Sequence, residues 1–274
     1  MQARCRSPID CSPVVTIWLS GVAFLAGFVD AVVGGGGLVQ VPAALLILPP
    51  EQAANIAAVL GTNKAASIFG TGMAVAQYAP RVRLPWATVA PAAVVAFGFS
   101  WLGALTVSHL DRTVLEPLIL VLLAAVTLYT FLRPELGHIH APLHAGHHER
   151  AIGIAVGVVL GFYDGFFGPG TGSFLIFLFI GVFGFDFLHA SASAKIVNFA
   201  TNLAALLLFA STGHVWYRYA IPMAVCQMAG SLAGTRIAVL KGNRFVRALF
   251  LIVASGLIAR FGWDLMTRTV FTQK

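Results

Sequence analysis

Two acids and two bases stand where an apolar chain rarely tolerates them. Asp30 closes "SGVAFLAGFVD", Lys64 lies within "AAVLGTNKAASIFG", Asp164 closes "GVVLGFYD" and Lys195 lies within "HASASAKIVNFATNLAALLLF". A charge at the middle of a bilayer costs from about 2.5 to more than 10 kcal/mol, depending on the scale, so such residues face a cavity or a partner. An ammonium supplies positive charge and three donors to an oxyanion; a carboxylate balances that charge or carries a proton. Each half of the chain contributes one acid and one base, which could pair within a half or across the two. The structural alternative is an ion pair that only fixes packing. Buried pairs are poor stabilisers, so four such charges favour a functional site.

The neighbours of the lysines extend the pattern. On a helix, positions i, i+3 and i+7 share a face. Lys64, Ser67 and Thr71 occupy one such face, and Lys195, Asn198 and Asn202 another. Each lysine therefore heads a polar stripe able to hydrogen-bond an oxyanion, although Ser, Thr and Asn also serve as glue between membrane helices. Directly after each acid comes a helix-breaking run: Gly34, Gly35, Gly36 and Gly37, then Gly168, Pro169, Gly170, Thr171 and Gly172. Glycine admits non-helical dihedrals and proline removes a donor. Both runs, 34–37 and 168–172, are expected to be non-helical at bilayer depth. The short segment after each then opens with free N–H groups and a positive dipole end, which suits an anion. The alternative for the glycines is close helix packing.

These residues need apolar helices to hold them, and the composition provides little else. Of 274 residues 58% are hydrophobic and 10% charged, with a mean hydropathy of +0.87; a soluble domain carries about 25% charged residues. The apolar segments fall at about 14–33, 38–48, 53–78, 84–107, 113–132, 151–167, 173–185, 188–211, 216–239 and 245–265. Most can cross a hydrocarbon layer of about 30 Å as helices, and they lack the alternation of a barrel. The net charge of +7 is spread singly or in pairs between apolar runs, as beside anionic lipid, which excludes nucleic acid as a partner. Cys5, Cys11 and Cys226 form no metal-ligand pattern, and no cofactor is expected.

The polar stretch 133–150 divides the chain into a tail (1–13), a first repeat (14–132), a His-rich linker (133–150), a second repeat (151–265) and a tail (266–274). An offset of 134 carries Gly27, Asp30, Gly34 and Gly36 to Gly161, Asp164, Gly168 and Gly170. After a three-residue deletion an offset of 131 carries Lys64, Pro91, Ser100 and Gly103 to Lys195, Pro222, Ser231 and Gly234. Paired interrupted segments in two halves mark transporters that bind near the midplane. With about five membrane-entering segments per half, the second repeat is inverted; if the short segments are re-entrant the count is four and the halves are parallel. His138, His140, His144, His147 and His148 read as a solvated loop, His109, His189 and His214 as interfacial residues near segment ends, and Arg260 with Asp264 as an i, i+4 pair.

The motifs "GFVDAVVGGGGLVQVP", "LGTNKAASIFGT", "GFYDGFFGPGTGSF" and "SASAKIVNFATNLAALLLF" resemble the paired signatures of the TauE/SafE family of sulfite-exporter-like permeases over nearly the whole chain. The resemblance implies an all-α polytopic protein of the bacterial inner membrane, a permease rather than an enzyme, built of two homologous repeats. Its expected cargo is a small anion such as sulfite, a sulfonate or another organosulfur or carboxylate anion, and its expected direction is export. The substrate would meet Lys64, Lys195, the two glycine runs and the two stripes, with Asp30 and Asp164 balancing charge or coupling protons. Further copies of the chain and the lipid bilayer complete the expected partners. The rivals are a proton- or cation-coupled antiporter using Asp30 and Asp164, a membrane enzyme, and a non-transporting membrane subunit.

Overall fold

The computed structural model describes residues 13–109 and 147–241. The described residues form nine helices and no strand: α1 (Pro13–Val33), α2 (Gly36–Ile47), α3 (Pro50–Ala53), α4 (Ile56–Tyr78), α5 (Trp86–His109), α6 (His147–Phe166), α7 (Thr171–Gly181), α8 (Phe187–Ser211) and α9 (Tyr217–Lys241). Helices α1, α5, α8 and α9 are each long and apolar enough to cross a bilayer. The surface confirms the solvent: Val94 and Ile17 are 73% and 68% exposed, while Lys195 and Thr201 are 0% exposed. Many large apolar side chains face outward, and the polar residues within the helices are among those buried, as lipid requires. The chain is therefore a multi-pass α-helical membrane protein.

Helix α6 begins at His147, so the last four residues of the stretch 133–150 form its first turn rather than a loop. Segments 113–132 and 245–265, residues 1–12 and 266–274, Cys5, Cys11, His138, His140, His144, Arg260 and Asp264 lie outside the described residues. His109 ends α5, while His189 in the first turn of α8 and His214 just beyond its end bond Asp186 and Thr212.

The two lysine helices start alike. The side chain of Asn55 accepts from the Ala58 N–H at 3.1 Å to cap α4, and that of Asp186 accepts from the His189 N–H at 2.8 Å to cap α8. Each such N-cap is worth about 1 kcal/mol, and the offset of 131 relates the two.

The glycine runs reverse the chain. Gly34 has φ +75°, and Gly168 and Gly170 have φ +92° and +87°, a region that side chains other than glycine rarely enter. Only Gly34–Gly35 and Gly168–Gly170 are outside helices, however. Gly36 and Gly37 already form the first turn of α2, and Thr171 and Gly172 that of α7. The expectation that all of 34–37 and 168–172 would be non-helical is thus corrected: one residue of positive φ in the first reversal and two in the second turn the chain, and helical hydrogen bonding resumes almost at once. Helix α2 folds back along α1, with Gly36 against Ala26 and Asp30 and with Ala44 and Leu48 beside Leu19. At about 1.5 Å per residue, α2 and α7, of 12 and 11 residues, each cover roughly half of a bilayer.

Helix contacts recur under the same offsets. Gly27 lies against the backbone of Gln227, and Gly161 against that of Ala96. Gly234 lies against Phe28, and Gly103 against Phe162. The Ser100 hydroxyl donates to the Thr201 carbonyl at 2.8 Å, and the Ser231 hydroxyl to the Gly70 carbonyl at 2.6 Å. In every case the two partners come from opposite sides of the stretch 133–150, so neither side could build this core alone. Small residues allow the close backbone approach on which membrane helices depend, since burial of apolar surface gives no advantage within lipid.

Candidate functional site

The four intramembrane charges meet in two crossed pairs. The Lys64 ammonium donates to Asp164 Oδ2 at 2.7 Å, and the Lys195 ammonium donates to Asp30 Oδ2 at 2.8 Å. All four residues are buried, with Lys195 wholly so. Each base in one half therefore holds the acid of the other. The acids are presented by the last turns of α1 and α6, immediately before the chain reversals; the bases sit in the second or third turn of the capped helices α4 and α8.

The reversals themselves touch. A Cβ on Gly34 would collide with the backbone of Gly172, and one on Gly37 would come within 3.1 Å of Pro169 Cα. A Cβ on Gly168 would stand 3.0 Å from Lys64 Nζ, so the bare backbone of that turn lets the ammonium lie flat against it. Between the two reversals is a polar cavity lined by both acids, by Lys64 and Ser67, and by Asn63, Asn198 and Asn202, with Gly34, Gly37, Gly168 and Gly172 as its backbone wall. About 20 Å³ of it is open to the centre of a water-sized molecule, room for roughly one water. The cavity is narrow.

The sequence-derived candidates sort by position. Ten of them line this cavity: Asp30, Asp164, Lys64, Ser67, Asn198, Asn202, Gly34, Gly37, Gly168 and Gly172. Lys195 joins through Asp30, and Thr71 through the Asn202 amide, which donates to its hydroxyl at 3.3 Å. Gly35, Gly36, Gly170 and Thr171 do not line it. Gly36 packs on the Asp30 side chain, Gly35 lies near Ser173, Gly170 is the N-cap of α7, and the Thr171 hydroxyl donates to the Gly168 carbonyl.

Two polar residues escaped the stripe pattern. Asn63 lines the cavity, and its buried Oδ1 lacks a partner among the described residues; it precedes Lys64 by one position, off the i, i+3, i+7 face. Gln227 of α9 donates from Nε2 to the Ser67 hydroxyl at 3.2 Å. The offset of 131 relates it to Ala96, so the repeat gave no hint of it. Among the described residues no group of three or more His, Cys, Asp and Glu side chains comes together as a metal site.

An all-helical membrane protein with reversed half-helices and buried charge pairs around a central polar cavity has the build of a permease. The family described as Sulfite exporter TauE/SafE matches residues 19–261, and the chain belongs to that family. Among its relatives, "Probable membrane transporter protein ORF9" of Sinorhizobium sp is 36% identical over 239 residues, covering 87% of this chain and 88% of the relative. "Probable membrane transporter protein YfcA" of Escherichia coli strain K12 is 33% identical over 257 residues, covering 92% and 91%. A "Probable membrane transporter protein" of Haemophilus influenzae is 31% identical over 244 residues, covering 89% and 92%. No solved structure matches. The chain is thus a membrane transporter of the TauE/SafE type.

Proposed function

We propose that the protein is a secondary transporter that exports a small anion, such as sulfite, a sulfonate or another organosulfur or carboxylate anion, across the bacterial inner membrane. The substrate binds near the midplane between two repeats, 14–132 and 151–265. The observation that carries this reading is the pair of crossed lysine–aspartate bridges on the polar cavity where the two chain reversals meet. An arriving oxyanion exchanges with the carboxylate on one or both ammoniums, and the first turns of α2 and α7 add backbone donors. Asp30 and Asp164, freed from their lysines, balance the charge of the site or couple protons to anion movement. Because the cavity holds about one water, binding requires the halves to part, as in rocking-bundle transport.

The repeats are inverted in this reading. Helices α4 and α8 correspond under the offset, yet they run antiparallel, with Gly61 beside Phe209 and Gly72 beside Phe199; an axis in the membrane plane relates equivalent helices in that way. A second reading, an antiporter in which the acids hold a proton or cation, is favoured by one observation: both aspartates line the cavity, while only Lys64 of the two lysines does.

The test is flux in proteoliposomes loaded with labelled sulfite, a sulfonate or a carboxylate. Release that depends on the protein and on Lys64 supports the anion reading. Cation release with no anion release replaces it with the second.

A further inference from the structure

A second cavity, of about 140 Å³, opens where α4 ends, between Gln77 and Arg81 on one side and Thr235, Arg236, Val239 and Leu240 of α9 on the other. It is distinct from the central one, and its chemistry is basic. Arg81 and Arg236 are both exposed residues. Arg81 Nη1 donates to the Gln77 carbonyl at 2.8 Å, which leaves its remaining donors available, and among the described residues neither arginine forms an ion pair. The Thr235 hydroxyl, on a residue that is 0% exposed and also lines the cavity, has no hydrogen-bond partner among the described residues. A buried hydroxyl without a partner is unfavourable, and two uncompensated cations facing one cavity repel. An anion there relieves both. The volume matches cavities that hold a benzene-sized guest in protein interiors, enough for a tetrahedral oxyanion.

The internal repeat provides a comparison. Gln77, Arg81, Thr235 and Arg236 correspond under the offset of 131 to Leu208, Thr212, Ala104 and Leu105, which sit on the equivalent helix pair, α8 and α5. There the buried Leu208 and Ala104 close the interface with apolar atoms. Packing this pair of helices does not itself call for the polar and basic set.

We infer that this cavity is an oxyanion-binding site in which Arg81 and Arg236 grip a phosphate- or sulfate-like group and the Thr235 hydroxyl donates to it. Guanidiniums match such groups with paired hydrogen bonds, and basic pockets between membrane helices suit phosphorylated headgroups. The group is either the phosphate of an anionic lipid or a free inorganic anion. The inference is independent of what the central cavity binds.

The experiment has two arms on the purified full chain. In nanodiscs of phosphatidylcholine alone, inorganic phosphate is titrated calorimetrically; in neutral detergent, retention of added phosphatidylglycerol is read by native mass spectrometry. Wild type is expected to bind in at least one arm. Arg81→Gln with Arg236→Gln should weaken that binding about tenfold or more, Thr235→Val should weaken it less while raising the melting temperature without ligand, and Asp30→Asn with Lys195→Met should leave it unchanged. Phosphate binding alone assigns the site to a free anion, and phosphatidylglycerol binding alone to a headgroup. The inference is overturned if wild type binds neither probe, or if the double arginine variant, eluting as a folded monodisperse species, binds both as wild type does.

Discussion

Lys195 donates to Asp30 across 2.8 Å, and the two residues are 165 positions apart. Its counterpart joins Lys64 to Asp164 over 100 positions. Each half of the chain thus lends its base to the other half's acid, and neither charge is neutralised until both halves are in place. Removing one member of a buried pair costs about 3–5 kcal/mol in soluble proteins because the other is stranded.

That geometry changes what a single substitution reports. Lys195→Met leaves Asp30 buried without its cation, which destabilises the bundle. The double variant Asp30→Asn with Lys195→Met removes both charges and should regain most of the thermal stability lost by Lys195→Met alone. The same should hold for Asp164→Asn with Lys64→Met. A melting temperature no higher in the double variants than in the single ones would show that the pairs do not govern stability.

Gly34 is held by both its dihedral and its neighbour. Gly34→Ala places a methyl into the backbone of Gly172 at φ +75°, and strain of about 1–3 kcal/mol should appear as a lowered melting temperature and reduced folded yield. Gly21→Ala, whose added methyl would meet nothing within 4 Å beyond its own helix, should be neutral or slightly stabilising, since alanine is favoured over glycine in helices by about 1 kcal/mol. Equal melting temperatures for the two variants would mean that the reversals do not touch as described.

Ser100 and Ser231 make matching hydrogen bonds to Thr201 and Gly70. Ser100→Ala and Ser231→Ala should each cost roughly 0.6 kcal/mol, the average for such bonds in membranes. Melting of the purified variants should show nearly equal losses. A loss confined to one would contradict the matched packing.

Much of this was legible in the sequence because lipid imposes simple rules. All eight long or half-length helices among the described residues coincide within a few residues with apolar segments, and Asp30, Asp164, Lys64 and Lys195 stood out because charge is costly in such segments. The stripe rule found Ser67, Asn198 and Asn202, since cavity-facing residues on a helix repeat with its turn. It missed Asn63 because a cavity at the crossing of several helices accepts more than one face. Gln227 was hidden because its repeat mate is Ala96, so nothing marked it. The pairing of the charges was open, since spacing along the chain does not say which helices meet; the contact between Gly34 and Gly172 decides it by bringing the two reversals together. The extent of each break was overestimated, because glycine permits a turn without preventing the next residues from being helical.

The narrowness of the cavity bears on access. In a chain whose cysteines Cys5, Cys11 and Cys226 are replaced by Ala, Asn202→Cys should react slowly with a membrane-impermeant maleimide, and a saturating alkanesulfonate, which does not itself react with maleimide, should slow it further by occupying the site. Fast labelling that the sulfonate leaves unchanged would place Asn202 outside the substrate's path.

If the two lysines receive the anion, flux through charge-neutral pairs shows it. Release of labelled sulfite from proteoliposomes is compared for wild type, Asp30→Asn with Lys195→Met, and Asp164→Asn with Lys64→Met, each verified as folded by its melting curve. The account predicts saturable, protein-dependent release for wild type and a loss to the protein-free level in both double variants, despite intact folding. Release at the wild-type rate from both folded variants would contradict it.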